Sequence, residues 1–354
     1  MSSKSSFHEA LCEKLDSSMT TLNGPENWDE EVLGERQGTG MQVLICDTDF
    51  SVSKYQTAIR NFSGGLENLF NMLSDDHSKN TLVEVIAYRI LGHKHVRLSS
   101  NNGQYWKLRE KASSLPHDRH EFAPPLKGKA TSFYDLSGLG LPLTAYGYPP
   151  SITHTFLCKH YTYNFADQFV GVSEGDCVID AGACWGDTSL LFAYDSGESG
   201  RVLSFEFEES NLAVLDYVLN LNCDLAGRIS VVQKALWNQS GARLSFSANG
   251  PATRVSNGEG TKQVETLSID DLSEEVGKID FIKMDIEGAE LEALKGAENT
   301  IRKNRPKLAI SLYHNLSDFV TIPAFLGSLN VRYDYYLKHP TTYDRETVLF
   351  ASPK

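Results

Sequence analysis

The apolar pattern along this chain is strongest from Cys177 onward and weaker upstream. From Cys177 onward, short apolar runs, three of them ending at an acid, alternate with stretches of helical spacing. The runs are Cys177–Ile179 before Asp180, Arg201–Glu206, Ile229–Val232, Ile279–Met284 before Asp285, and Leu308–Leu312. Short, largely apolar runs without strict alternation predict strands buried on both faces, as in a parallel sheet. Between them, Leu212, Leu215, Val218 and Leu219 mark a helix over Asn211–Leu221. Ala289, Leu294, Ala297 and Ile301 mark another, with Glu298 and Arg302 at i,i+4 on its outer side. A further helix is expected near Asp318–Leu329, and Tyr333–Leu337 and Thr347–Ala351 read as closing strands. Residues 243–269 read as two antiparallel strands around NGEG. Repeated strand–helix units imply a mainly parallel sheet with right-handed crossovers, and the closing strands imply an antiparallel edge.

Upstream the pattern is weaker. Residues 1–40 are polar without a sustained period and are expected to form a poorly ordered or loosely helical lead-in. MQVLICDTDF, from Met41, reads as a buried strand, and Leu82–Leu91 as a core helix. Residues 96–130, broken by Gly and Pro, read as a linker or irregular segment. This divides the chain into an N-terminal α-rich extension, 1–130, and a main domain, 131–354. Tyr134, Tyr146, Tyr148, Tyr161 and Tyr163 either pack the extension on that domain or line a substrate mouth.

The stretch CVIDAGACWGDT, residues 177–188, carries the chemistry. A strand, a small-residue loop and a helix that Asp187 or Thr188 can cap form the arrangement that brings nucleotide-like ligands to backbone N–H groups. Gly182 and Gly186 permit close backbone approach. Three acids, Asp180, Glu206 and Asp285, stand at carboxyl ends of predicted parallel strands, where open α/β sheets bind ligands. A capping or helix-dipole role is the alternative for each. Glu206 lies 26 residues after Asp180, a spacing that suits an acid accepting bonds from ribose hydroxyls. A nicotinamide cofactor would fit that spacing as well, but AGACWG lacks the leading GxG pair.

Composition narrows the partners. The net charge of −13 argues against nucleic acid and anionic membranes, which require a basic footprint, and suits a cationic ligand. No run reaches the ~18 apolar residues of a membrane span, and the start, MSSKSSFHEALCEK, has no signal-peptide character. Six scattered cysteines show no metal-ligand spacing and point to reduced thiols in the cytoplasm. No metal is expected.

VIDAGACWGDTS, VLSFEFEESN, ETLSIDDL and above all DFIKMDIEGAELEALKGAENTI resemble the FkbM-type methyltransferases, over about residues 145–354. The distal run LAISLYHN…IPAFLGSL…YYLKH…ETVLFA is similar to the branch among bacterial glycan-modifying members. The resemblance implies a class I, Rossmann-like α/β methyltransferase fold and S-adenosylmethionine as cofactor. Asp180, Gly182 and Gly186 should then hold its methionine part, with Ala181, Asp187 and Thr188 in the same loop and helix start. Glu206 should hold the ribose, and Ala235 should edge the adenine. Asp285 and Glu287 should lie near the transferred methyl or the acceptor, Asp285 also positioning the cofactor's amino group. A hydroxyl acceptor needs a general base, for which His314, Asp285 and Glu287 are the candidates. Arg254 and His339 are candidate acceptor contacts. Lys283, inside a buried strand, is expected to pair with a carboxylate. The expected activity is O-methylation of a hydroxyl on a sugar of a surface glycan. A secondary-metabolite or lipid hydroxyl, and a cofactor-binding scaffold without turnover, are the alternatives.

Overall fold

The computed structural model describes residues 6–23, 52–122, 129–256, 258 and 260–354. They form two compact units. The first gathers the described part of 1–106 with 312–328 and 334–349, and the second holds 107–311, 329–333 and 350–354. The expected division at residue 130 therefore falls at Lys107, and two C-terminal segments join the N-terminal residues.

The first unit is helical. Within the lead-in stands a helix, α1 (Phe7–Met19), capped by the Ser6 hydroxyl, which accepts the Glu9 amide proton at 3.2 Å. The strand expected from Met41 lies outside the described residues. Helix α2 spans Val52–Met72 and α3 spans Asp76–Leu91, the latter capped by Asp75 at 2.7 Å from the Ser78 amide. Ten residues of α3, from Ser78 to Leu91, are buried, as expected of the core helix read over Leu82–Leu91. The helix Asp318–Ser328 lies on α2, and contact is close because Gly65 sits beneath Val320, where a Cβ would overlap the valine methyls. The 96–130 segment is more regular than expected. Asn102 accepts the amide protons of Gln104 (2.9 Å) and Tyr105 (3.1 Å) and starts a helix over Gly103–Ser113.

The second unit carries a three-stranded antiparallel sheet, β1 (His117–Arg119), β2 (Ser132–Asp135) and β3 (Thr144–Gly147). Its main sheet holds five parallel strands: β4 (Cys177–Ala181), β5 (Arg201–Phe205), β6 (Ile229–Val232), β11 (Phe281–Met284) and β12 (Lys307–Ser311). Their spatial order is β12-β11-β4-β5-β6, and Tyr333 of β13 (Tyr333–Lys338) and Phe350–Pro353 of β14 (Val348–Pro353) lie beyond β12. Every residue of β4 and β11 is buried, which matches the non-alternating apolar sequence of central strands. A second sheet is inserted between β6 and β11. In it β7 (Ala235–Leu236) pairs in parallel with β10 (Lys262–Leu267), which runs antiparallel to β8 (Arg243–Phe246), with the short β9 (Val255–Ser256) outside.

Helices α4 (Asp187–Asp195) and α5 (Glu209–Leu221) follow β4 and β5, and α6 (Ile269–Val276) precedes β11. The single helix expected around Ala289–Ile301 is two, α7 (Glu290–Lys295) and α8 (Glu298–Asn304). The break follows from a tertiary contact: Gly296 lies so close to the Trp237 carbonyl that any side chain would collide with it. Asp270 then takes the place of a local cap, accepting from the Thr300 amide at 2.7 Å and the Asn299 amide at 3.1 Å. The Glu298–Arg302 pair forms at 2.8 Å.

Candidate functional site

Strand order reverses between β4 and β11, and their carboxyl ends therefore flank the crevice in which such sheets bind ligands. A buried ion pair joins the two strands there. Lys283 Nζ donates to Asp180 Oδ1 at 2.9 Å, to the Ala181 carbonyl at 3.0 Å and to the Gly182 carbonyl at 2.7 Å, which uses all three ammonium protons. Asp180 Oδ2 accepts from the hydroxyls of Thr188 (2.7 Å) and Ser189 (2.6 Å) at the start of α4. Burial alone would push the lysine's pKa down, but the carboxylates of Asp180, Asp285 and Asp187 outweigh it and hold it above the usual lysine range. Asp180 is thus wholly buried and turned into the protein, where it fixes the loop from beneath. The expected pairing of Lys283 with a carboxylate is this one.

The loop above the pair is strained toward the crevice. Gly182 has φ +80°, and a Cβ there would overlap the Asp285 carbonyl oxygen, so the backbones of the two strand ends touch. Gly186, at φ +85°, is the N-cap of α4, ahead of the expected Asp187 or Thr188, and has Leu215 against its α-carbon. The amides of Gly182 and Ala183 bond the Phe205 carbonyl at 3.1 and 3.0 Å, and that of Gly186 bonds the Ala183 carbonyl at 2.7 Å. These three N–H groups therefore shape the loop, contrary to the expectation that the loop presents them to a ligand. Trp185 packs edge-on against Tyr146, 5.1 Å between centroids. Burial, with Glu206 and Asp187 adding to it, pushes the Cys184 thiol well up and keeps it protonated.

Glu206 follows β5 and is held in one orientation. Its Oε1 accepts from the backbone amides of Phe207 and Glu208, both at 2.7 Å, and its Oε2 from Asn211 Nδ2 at 3.2 Å. Burial raises its pKa and these bonds oppose the rise. Asn211 Oδ1 is buried with no hydrogen-bond partner, beside a carboxylate at the strand end where a ribose would lie. An orphaned acceptor and a carboxylate of fixed orientation are what a ribose diol requires, so the residues present fit a nucleoside cofactor. Asp187, in the first turn of α4, accepts from the Thr155 hydroxyl at 2.8 Å, and burial raises its pKa against that bond. Ala235 is buried among Leu244, Phe246 and Val264, so it also builds the inserted sheet.

Past β11, Asp285 Oδ2 accepts from the Tyr161 hydroxyl at 2.6 Å. Glu287 takes φ +57°, and its Oε2 lies 3.4 Å from both Nε and Nη2 of Arg254, which joins the inserted loop to the strand end. Glu290 folds back to accept from the Ile286 amide at 2.8 Å. The two histidines belong to the helical unit. His314 is buried beside Tyr313, 4.2 Å between ring centroids. His339 bonds the hydroxyls of Thr347 (2.8 Å) and Thr341 (3.3 Å), and burial lowers its pKa to about 4. With both ring nitrogens engaged inside its own unit, His339 is a structural residue there. Asn211, Thr155 and Tyr161 were not singled out for the cofactor from sequence. Asn211 had a local signal, five residues after Glu206 on the first turn of a helix, whereas the other two have none.

Residues 180–335 match the family model described as the methyltransferase FkbM domain. Among solved structures, the chain is similar to a methyltransferase FkbM from Methylobacillus flagellatus KT, with a TM-score of 0.55 and 22% identity, covering 86% of this chain and 62% of that one. It spans less than two thirds of that protein. More distant likenesses include a SAM dependent methyltransferase from Aquifex aeolicus (TM-score 0.33, 16% identity, 57% of this chain and 92% of that one). Another is fibrillarin from Aeropyrum pernix (0.35, 10%, 67% and 98%). No curated protein matches. Residues 180–335 thus match a methyltransferase model, and the likeness to the Methylobacillus flagellatus protein shows a shared α/β fold.

Proposed function

We propose that the protein transfers the methyl group of S-adenosylmethionine to a hydroxyl, and that the acceptor is a sugar of a surface polysaccharide or related glycan. The observation that carries this reading is the crevice between β4 and β11, where a glycine loop without room for a side chain faces Asp285 and lies one strand from Glu206. Bound there, the cofactor supplies an electrophilic methyl on a positively charged sulfur. Glu206 and Asn211 hold the ribose. Asp285 and Asp187 supply negative charge for the amino group and the sulfonium. The Gly182 backbone sets how close the methionine part approaches. Most of the acceleration then comes from alignment, since the displacement is in-line.

On the acceptor side, Arg254 and Glu287 stand together at the end of β11 and suit hydroxyl groups. His314 is our candidate general base. It lies three residues beyond Ser311, the last residue of β12, so the chain delivers it just past a strand's carboxyl end. Asp285 and Glu287 inherit the role if it does not serve. The surplus of acid over base speaks for an uncharged or cationic acceptor and against nucleic acid. We place the reaction in the cytoplasm, since Cys12, Cys158, Cys177, Cys184 and Cys223 are free thiols. Among the described residues no helix is long and apolar enough to cross a membrane.

The test is incubation with methyl-labelled cofactor and a panel of acceptors, reading label by mass spectrometry. Sugar nucleotides and glycan fragments should acquire an O-linked methyl, while lipid and polyketide hydroxyls should not. Label on those latter acceptors would overturn the glycan assignment, and label on nitrogen would overturn O-methylation. Cofactor binding without product from any acceptor would favour a scaffold.

A further inference from the structure

The segment leading into β4 bonds two of the crevice acids from outside the motifs. It begins as a helical turn, Pro149–Ile152, and widens into a π-type turn, Thr153–Leu157, closed by the Cys158 amide on the Thr153 carbonyl at 2.8 Å. Single π-turns of this kind are frequent at functional sites because they re-aim side chains. Here the Thr155 hydroxyl reaches Asp187 Oδ2 at 2.8 Å, and the Tyr161 hydroxyl reaches Asp285 Oδ2 at 2.6 Å. Between them Lys159 is anchored to Asp195, at the end of α4, by 3.2 Å contacts to both carboxylate oxygens. Tyr161 is buried, and its ring face lies 5.1 Å from Lys283 Nζ, the ammonium that holds Asp180. Lys283 and Asp285 are two apart along the strand direction and share one face, so one tyrosine covers both.

We propose that Thr153–Tyr161 is a positioning strap for the cofactor's amino-acid end, in which Tyr161 orients the Asp285 carboxylate and Thr155 that of Asp187. The inference rests on the cofactor reading above. At 2.6 Å the Tyr161–Asp285 bond lies in the range of a hydroxyl on an ionised carboxylate. Such a bond favours the charged form and fixes one lone pair of Oδ2. The other oxygen then faces a cationic amino group in a set direction instead of sampling its rotamers. Sequence distance hides this device, since Tyr161 and Asp285 are 124 residues apart.

The test is Tyr161→Phe, which keeps the ring over Lys283 and removes only the hydroxyl. Calorimetry would compare S-adenosylhomocysteine, which has the amino-acid end, with 5′-methylthioadenosine, which lacks it. The expected result is an S-adenosylhomocysteine Kd about 3- to 10-fold higher, the effect of one hydrogen bond, with the methylthioadenosine Kd unchanged. In an Asp285→Asn background the same substitution should add nothing. Thr155→Val should show the same ligand split through Asp187. Equal weakening of both ligands, or of neither, in these two variants would overturn the strap, whereas a wild-type protein binding neither ligand would overturn the cofactor reading and the strap with it.

Discussion

Replacing Lys283 by Met should cost the second unit a large part of its stability, and the structure allows the amount to be worked out. The ammonium is buried and makes three bonds, so its loss leaves the Asp180 carboxylate without its counter-charge in a site that water does not reach. The Ala181 carbonyl keeps the Asp285 amide at 3.0 Å, so among these acceptors only the Gly182 carbonyl adds to the deficit. Breaking a buried pair by removing one partner costs about 3–5 kcal/mol, against a total of roughly 5–15 kcal/mol for a folded protein. For a unit of this size that is a fall in Tm of about 6–20 °C, readable by calorimetry or thermal circular dichroism. The double variant Lys283→Met/Asp180→Asn removes the stranded charge and keeps an acceptor for Thr188 and Ser189, so it should regain most of the loss. The pH dependence has a definite sign. Lys283 has a raised pKa in the folded state, so its contribution is complete below the ordinary lysine value of about 10.4 and is lost as pH rises through the higher folded value. A Lys283→Met protein as stable as the wild type, or a double variant no better than the single one, would refute the pair as the element that joins β4 and β11.

Three further outcomes are expected. Glu206→Ala should weaken S-adenosylhomocysteine binding by roughly 1–3 kcal/mol, the range for hydrogen bonds to a charged group, and titration calorimetry would show it. His314→Ala should lower turnover by about 10²–10⁴-fold at saturating acceptor, the usual contribution of a general base, with cofactor affinity unchanged; unaltered turnover would pass the role to Asp285 or Glu287. His339, whose folded pKa is about 4, should make the helical unit lose stability as pH falls from about 6.5 toward 4. The loss is on the order of 3 kcal/mol at most, from about 1.4 kcal/mol per pH unit, and His339→Gln should flatten that limb in pH-dependent melting curves.

Sequence alone determined the elements whose cause is local. Central strands with both faces covered are apolar throughout, so β4, β11 and β12 were legible, as were the acids at or just past their carboxyl ends and the glycines that need φ near +80°. The α5 helix was legible because its buried side recurs with helical spacing. The shared chemistry of Asp180, Glu206 and Asp285 came from their common position at strand ends, and the same reasoning could not say which way each carboxylate turns. Tertiary structure decided that. Asp180 turns inward because Lys283, 103 residues away, is set beside it by the parallel register of β4 and β11. Asp285 meets Tyr161 because the chain beyond a π-turn brings the phenol back to the strand end. The helix expected after Asp285 breaks at Gly296, where Trp237 lies against it, and Trp237 follows β7, a strand that no periodicity near residue 296 announces. His339 reads as a free acceptor contact until Thr341 and Thr347 fold around it. For Asp180 and Asp285 the energy comes from burying a polar group against a partner 103 and 124 residues away, and such a pairing leaves no period, cap or turn signal in the residues that make it.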